Sequence, residues 1–352
     1  MAQFVDWDLA TATAGALGKT GPRVTAAEAD EAVAQLRLLA DEAAEHVAAY
    51  TGLVPAGRSA PVRVVDRRDW AEANINGLRQ VVAPLLSRVA GAEPGPFADA
   101  VGSRIAGVQT GTVLAYLSGR VLGQFDVFSS DPGQLLLVAP NIVDVERKLE
   151  VPPRDFRLWV CLHEVCHRTQ FTAVPWLRAH FLGEVAAFVD AGGVGNELAE
   201  RLRQAIGSIA ESVRNPDSRR SILDLVQTPA QRAVLDRITA LMTLLEGHAE
   251  FVMDGVGPEV VPSVAEIRSR FNRRREGGNP VERAIRRLLG VEAKLRQYAE
   301  GRDFVHNVVS RVGMESFNRI WDSPLTLPLL SELTNAEAWI DRVGARRLPA
   351  AE

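Results

Sequence analysis

The stretch Pro152-Pro153-Arg154-Asp155-Phe156-Arg157-Leu158-Trp159-Val160-Cys161-Leu162-His163-Glu164-Val165-Cys166-His167-Arg168-Thr169-Gln170 decides how the rest of the chain is read. From Phe156 onward it is apolar on nearly every side, the pattern of a buried helix. Two prolines precede it and Asp155 is the expected N-cap. Arg157, Glu164 and Arg168 fall within about 40° of one another around the axis, leaving one narrow polar edge. The two histidines border that edge, and Gln170 extends their side by one turn. A buried helix with a single polar edge is expected to line a cleft.

Within this stretch, residues 163–167 read His-Glu-x-x-His. Helical positions i and i+4 lie about 40° apart, so both imidazoles can reach one tetrahedral metal ion. Glu164 lies about 100° further round and can reach a metal-bound water without becoming a ligand. This is the arrangement for zinc-assisted hydrolysis, in which the metal lowers the water's pKa and a carboxylate takes its proton. The expected ligands are therefore His163 and His167, the cofactor Zn(2+), and the catalytic base Glu164. A metzincin-type extension would place glycine at 170 and histidine at 173. Gln170 and Ala173 stand there, which excludes that class. Cys166 reads as a small core filler.

A third ligand is expected from a later helix, Thr228 to Asp254, whose Thr228-Pro229-Ala230-Gln231 start combines a capping box with proline at the first helical position. Near its end Glu246, Glu250 and Asp254 repeat every fourth residue on an otherwise apolar helix. Such a ladder repels itself unless cations hold it. Gly247 weakens the helix by roughly 1 kcal/mol relative to alanine, a cost that fits close approach of a metal and another helix. Glu246 is assigned as third ligand. Glu250 is assigned as acceptor for a ligand histidine's free N–H. His248, about 160° from the midpoint of those glutamates, is the rival third ligand. Tyr298 and His306 are candidates to bring a transition-state stabiliser to the cleft.

The remaining composition sets bounds. The chain has 352 residues, 47% hydrophobic and 24% charged, with a net charge of −4. This is globular composition, and its weak acidity argues against a nucleic-acid partner. The two cysteines, Cys161 and Cys166, point about 140° apart on one helix and cannot pair. The first residues carry no basic n-region, and no apolar run approaches the ~20 residues of a membrane helix. The expectation is a cytoplasmic protein with no membrane partner. Residues 1–100 read as a mainly helical N-terminal region and 101–350 as the catalytic, metal-binding region, the two forming one compact unit.

The predicted class is α+β, mostly α-helical, with a small central sheet. Thr112–Leu117, Arg120–Val127 and Gln134–Val138 are the expected strands, and Pro61–Asp66 is a further short β-rich run. Gln134–Val138 is either an edge strand beside the cleft, open to an extended peptide, or an interior strand. Arg268 to Arg296 holds ten basic residues against three acidic ones. That run reads as a solvated helical face or as a surface for an acidic partner.

Several further stretches carry a resemblance: Val5-Asp6-Trp7-Asp8, Val64-Val65-Asp66-Arg67, Leu137-Val138-Ala139-Pro140-Asn141-Ile142, Trp159 to Phe171, Pro175-Trp176-Leu177-Arg178, Leu245-Glu246-Gly247-His248-Ala249-Glu250 and Phe317-Asn318-Arg319-Ile320-Trp321. Together they resemble the zincin-like metallopeptidase family found mainly in actinobacteria, over nearly the whole chain. The resemblance implies a zincin-like fold and a zinc-dependent hydrolase, with His163 and His167 as ligands and Glu164 as base. Glu246 follows by similarity to gluzincin-type enzymes, where Glu-Gly supplies the third ligand. The sequence thus predicts a zinc metallopeptidase acting on a peptide or protein. The alternative is a non-catalytic, metal-stabilised regulatory or scaffold protein, its metal closed by a fourth ligand such as His248 or Cys166. Nothing in the sequence signals cleavage preference or oligomeric state.

Overall fold

The computed structural model describes residues 5–55, 57, 60–89, 96–129, 131–191, 229–276 and 291–345; for 82–89, 96–101, 189, 274–276, 291–299 and 345 it describes the backbone alone. The chain begins with α1 (Trp7–Leu17), capped by Asp6, whose carboxylate accepts from the Leu9 amide. Helix α2 (Ala26–Thr51) starts with the Thr25/Glu28 capping box and stops at Gly52, which takes the left-handed conformation (φ 72°). Then come β1 (Val62–Val65), α3 (Arg67–Val89), α4 (Pro96–Ser118), β2 (Gly123–Asp126) and β3 (Gln134–Val138). The rest is helical: α5 (Ala139–Leu149), α6 (Pro153–Ala173), α7 (Leu177–Asp190), α8 (Pro229–Gly255), α9 (Val264–Glu276), α10 (Val291–Phe317) and α11 (Ala336–Ala345), with short 3₁₀ turns between the last two.

The three strands form one sheet in the order β1-β3-β2. β3 is parallel to β1 (Val62 opposite Leu135) and antiparallel to β2 (Gly123 opposite Leu137). Gln134–Val138 is therefore the central strand. Its run Leu135-Leu136-Leu137-Val138 is fully buried, as a strand covered on both faces requires. Leu135 and Leu137 pack into the main core with residues of α2, α6 and α8. Leu136 and Val138 point the other way, against Ala10, Trp70 and Leu114 of α1, α3 and α4. The strand alternation thus holds the motif helix α6 on one face of the sheet and the N-terminal helices on the other.

Two local expectations are corrected. Thr112–Leu117 is helical, the last part of α4, and the third strand is instead β1, inside the Pro61–Asp66 run. The β-branched residues there are overruled by packing: α4 crosses α1 so closely that a Cβ at Gly107 would lie 2.5 Å from the Asp6 carbonyl oxygen, and one at Gly111 would strike that of Ala10. Asp155 is not the cap of α6, which begins at Pro153 after Pro152. The Asp155 carboxylate sits in the first turn and accepts from the Ser263 amide (3.0 Å) and hydroxyl (2.7 Å), tying α6 to the start of α9.

Helix α8 lies between α6 and α10. Gly247 meets α10 at Gly301: a Cβ on Gly247 would collide with the Gly301 and Arg302 backbone, and one on Gly301 with the Thr243 carbonyl. Among the described residues, no helix is long and apolar enough to cross a membrane. The basic run 268–296 lies largely outside the described side chains. Of its described members, Arg268 pairs with Asp254 and Arg270 with Glu266.

Candidate metal centre

Between Leu158 and Gln170, every residue of α6 is buried except His163 and His167. The wet edge of this helix is therefore the histidine pair itself. The polar edge expected from the sequence is closed from within: Arg157 makes a two-point contact with Glu146 (2.9 and 2.6 Å) and donates to Gln35 (2.6 Å), and Arg168 is buried.

The two rings meet edge to face at 87°, with Nε2 atoms 3.2 Å apart. Glu246 of α8 brings Oε2 to 3.4 Å from His163 Nε2 and 3.6 Å from His167 Nε2. Among the described residues this is the group of side chains suited to hold a metal ion. The spacing is itself a test of fit. Around a tetrahedral zinc ion with bonds of about 2.0–2.1 Å, neighbouring ligand atoms stand about 3.3 Å apart. The three observed edges of 3.2, 3.4 and 3.6 Å bracket that value. Two imidazoles and one carboxylate are also a donor set that zinc prefers. The residues present fit the ion.

Electrostatics agree with a cation at this point. Burial works against charge on His167, yet Glu246 overcomes it, and the pKa rises to about 9. Glu246 is desolvated too, but the histidines hold its carboxyl far below the ordinary value. Holding a metal there means releasing a proton first. Glu164 is buried, and burial raises its pKa; His163 and His167 pull it down, while Glu246 adds to the rise. Its carboxyl packs directly on the edge strand β2. A Cβ at Gly123 would lie 2.6 Å from the Glu164 Cδ, so any other residue there would displace the carboxyl from this position.

The remaining sequence candidates fall elsewhere. Gln170, not Glu250, accepts the His167 Nδ1–H, at 3.0 Å. Glu250 sits one turn beyond Glu246 and faces Arg268, 3.7 Å away. His248 does not join the three donors. Two residues past Glu246 it points to the far side of α8, where its ring stacks on Phe317 (5.6 Å, 17°) and meets Trp321 edge-on. Burial, with the charge on His167, pushes its pKa down to about 3. Cys166 is buried beside it, Sγ 3.5 Å from His248 Nδ1. His306 is exposed, its ring 6.2 Å from Phe251. The Tyr298 side chain lies outside the described residues. Sequence reasoning missed Gly123, a single glycine in a β-rich run with nothing to mark it. The role of Gln170 had a signal, its i+3 spacing from His167.

A mostly helical α+β fold, its motif helix laid against a small sheet, defines a zincin-like protein. The chain belongs to the zincin-like metallopeptidase family, whose profile matches residues 5–340. It is also similar to the crystal structure of a candidate hydrolase described as having a novel fold, from Chloroflexus aurantiacus. The two are 31% identical over 97% of this chain and 99% of the other, with a TM-score of 0.68. Among curated proteins none matches.

Proposed function

We propose that the protein is a cytoplasmic, zinc-dependent peptidase. His163, His167 and Glu246 hold the ion and Glu164 is the general base. The observation that carries this reading is the triangle of donor atoms at zinc-ligand spacing, with a buried carboxyl of raised pKa next to it on the same helix. Zinc, when bound, supplies Lewis-acid polarisation and a water acidified toward neutral pH. Glu164 takes the proton of the attacking water and passes it to the leaving amine. A carboxyl with an elevated pKa suits both transfers. The histidine and glutamate side chains are partly exposed, which leaves a side open to substrate. Neither His248 nor Cys166 closes the group, which weighs against the scaffold alternative.

The edge strand supports a peptide substrate. In the antiparallel register, Leu122 accepts from Val138, so the alternate residues Gly123 and Phe125 direct their backbone groups away from β3. An extended peptide paired there would run past Glu164, which touches Gly123.

The test combines metal analysis with a peptide library read by mass spectrometry. The zinc-loaded protein should cleave library members. Glu164→Gln should keep its zinc and lose about 10²–10⁴ in rate, the usual share of a general base. A variant that cleaves as fast as the parent, or a parent that takes up no zinc, overturns the reading.

A further inference from the structure

Gln170 is fully buried, and its amide touches both helices of the proposed metal centre. Its Nε2 lies 3.0 Å from the Leu245 carbonyl oxygen, in the peptide unit leading into Glu246. The same Nε2 lies 3.0 Å from His248 Nδ1. Its Oε1 lies 3.0 Å from His167 Nδ1. These contacts fix each other. A carbonyl oxygen only accepts, so the atom facing Leu245 is the amide nitrogen, and the atom facing His167 is the oxygen. That oxygen only accepts, so His167 Nδ1 carries a proton and Nε2 is left as the metal-facing lone pair. The second amide hydrogen has two possible acceptors, Cys166 Sγ at 3.9 Å and His248 Nδ1 at 3.0 Å, and the shorter contact assigns it to His248 Nδ1. His248 is then neutral, with its proton on Nε2, an atom that has no hydrogen-bond partner among the described residues and lies in the Phe317/Trp321 pocket.

Resting on the metal site proposed above, we propose that Gln170 is the positioning residue of that site and His248 is its lock. Gln170 sets the tautomer and angle of one ligand ring and holds the backbone beside the ligand from α8. His248 holds the amide in the one orientation that does both. Packing alone does not call for a buried glutamine–histidine pair, since a leucine and a phenylalanine would fill the same space without polar atoms to satisfy. The histidine that looks like a spare ligand in the sequence is thus two hydrogen bonds removed from the metal-facing ring.

The test measures zinc affinity by chelator competition on the full chain, beside the melting temperature of the metal-free protein. Gln170→Leu should weaken zinc binding by about 10–100-fold, the range for loss of an outer hydrogen-bond partner. Gln170→Glu keeps the acceptor for His167 but loses both amide hydrogens, and should bring affinity back to within several-fold of the parent, whatever its melting temperature. His248→Phe, which removes the lock and keeps the ring, should weaken zinc binding by several-fold. A Gln170→Leu protein that melts lower but binds zinc like the parent overturns the proposal, as does a Gln170→Glu protein as weak as Gln170→Leu. If these variants do not fold, long-range ¹H–¹⁵N spectra of the parent's histidines decide. A neutral His248 with its proton on Nε2 and a zinc-bound His167 with its proton on Nδ1 are expected; the opposite tautomer on either ring overturns the proposal. A parent that binds no zinc at all would instead sink the metal reading itself.

Discussion

Glu246 on one side, and Glu250 with Asp254 on the other, are one repeating pattern in the sequence and two different structures. All three lie on the same face of α8, one turn apart. The second and third face Arg268 from α9, whose guanidinium reaches Asp254 at 2.6 and 3.1 Å and Glu250 at 3.7 Å, and lies over the Trp159 ring at 5.3 Å. The first faces two histidines at 3.4 and 3.6 Å. A carboxylate ladder inside a protein needs cations. Here one half is met by the chain's own arginine. The other half is met by side chains whose unprotonated form is itself a ligand. The difference lies in the partner helix: α9 brings an arginine, whose charge is permanent, while α6 brings histidines, whose charge can be given up to a metal.

The comparison breaks most visibly if the two halves are exchangeable. Glu246→Gln should cost zinc affinity by roughly 70- to 900-fold, taking a zinc site's total of about 10–16 kcal/mol as shared equally among four positions, three side chains and a water. Glu250→Gln should leave zinc affinity within a few-fold, because Glu250 faces Arg268 rather than His167. Chelator competition reads both. Equal losses would mean that the ladder binds as a unit. Arg268→Met is the converse experiment. It removes the cation shared by Glu250 and Asp254 and should destabilise the fold by about 2–3 kcal/mol in urea unfolding. That is less than the loss of one partner from a fully buried pair, because Asp254 is about a third exposed. Zinc affinity of the folded protein should stay put; a large fall would show that the arginine supports the metal site.

How much of this was legible beforehand follows the range of the interactions. The His-Glu-x-x-His spacing is local to one helix, and it points to the two rings that the structure brings within 3.2 Å. The Glu246-Gly247 pair is local too, and Gly247 does mark a close approach, although the neighbour the structure shows there is α10 at Gly301. What depends on partners far along the chain was not readable. No spacing rule says that Gln170 will meet Leu245, or that Arg268 will take Glu250. Thr112–Leu117 failed for the same reason: its β-branched side chains favour a strand, and only the glycine-lined crossing of α1 and α4 makes it helical. The sheet was under-read at Val62–Val65, a four-residue strand too short to show an alternation.

Gly247 tests whether the two halves of α8 are held by the same contact. Gly247→Ala places a methyl group against the Gly301 backbone, and backbone cannot swing aside as a side chain would. Overpacking of this kind costs about 1–3 kcal/mol. Because the methyl would push α8 near Glu246, zinc affinity and stability should fall together, unlike in Arg268→Met. A stable variant with normal zinc binding would show that α8 and α10 have room to separate.

The smallest effect comes from a carboxylate of the arginine-held kind with no metal-binding neighbours. Glu332 is buried, takes two contacts from Arg342 (2.6 and 2.8 Å) and accepts from the Leu329 amide (2.8 Å). Burial alone would raise its pKa, but the Arg342 and Leu329 hydrogen bonds win, and it is held below the ordinary 4.5. The sign follows. A carboxyl that is more acidic folded than unfolded adds stability above its unfolded pKa, and that stability is lost as pH falls through the folded value. Glu332→Gln should therefore cost about 1–2 kcal/mol at pH 7. The gap between parent and variant in urea unfolding should stay flat from pH 8 to about 5.5 and shrink below 4.5. A gap that widened on acidification would mean that Glu332 is held in its protonated form. The arginine half of the comparison would then not be simple charge pairing, and the contrast with Glu246 would need a different cause.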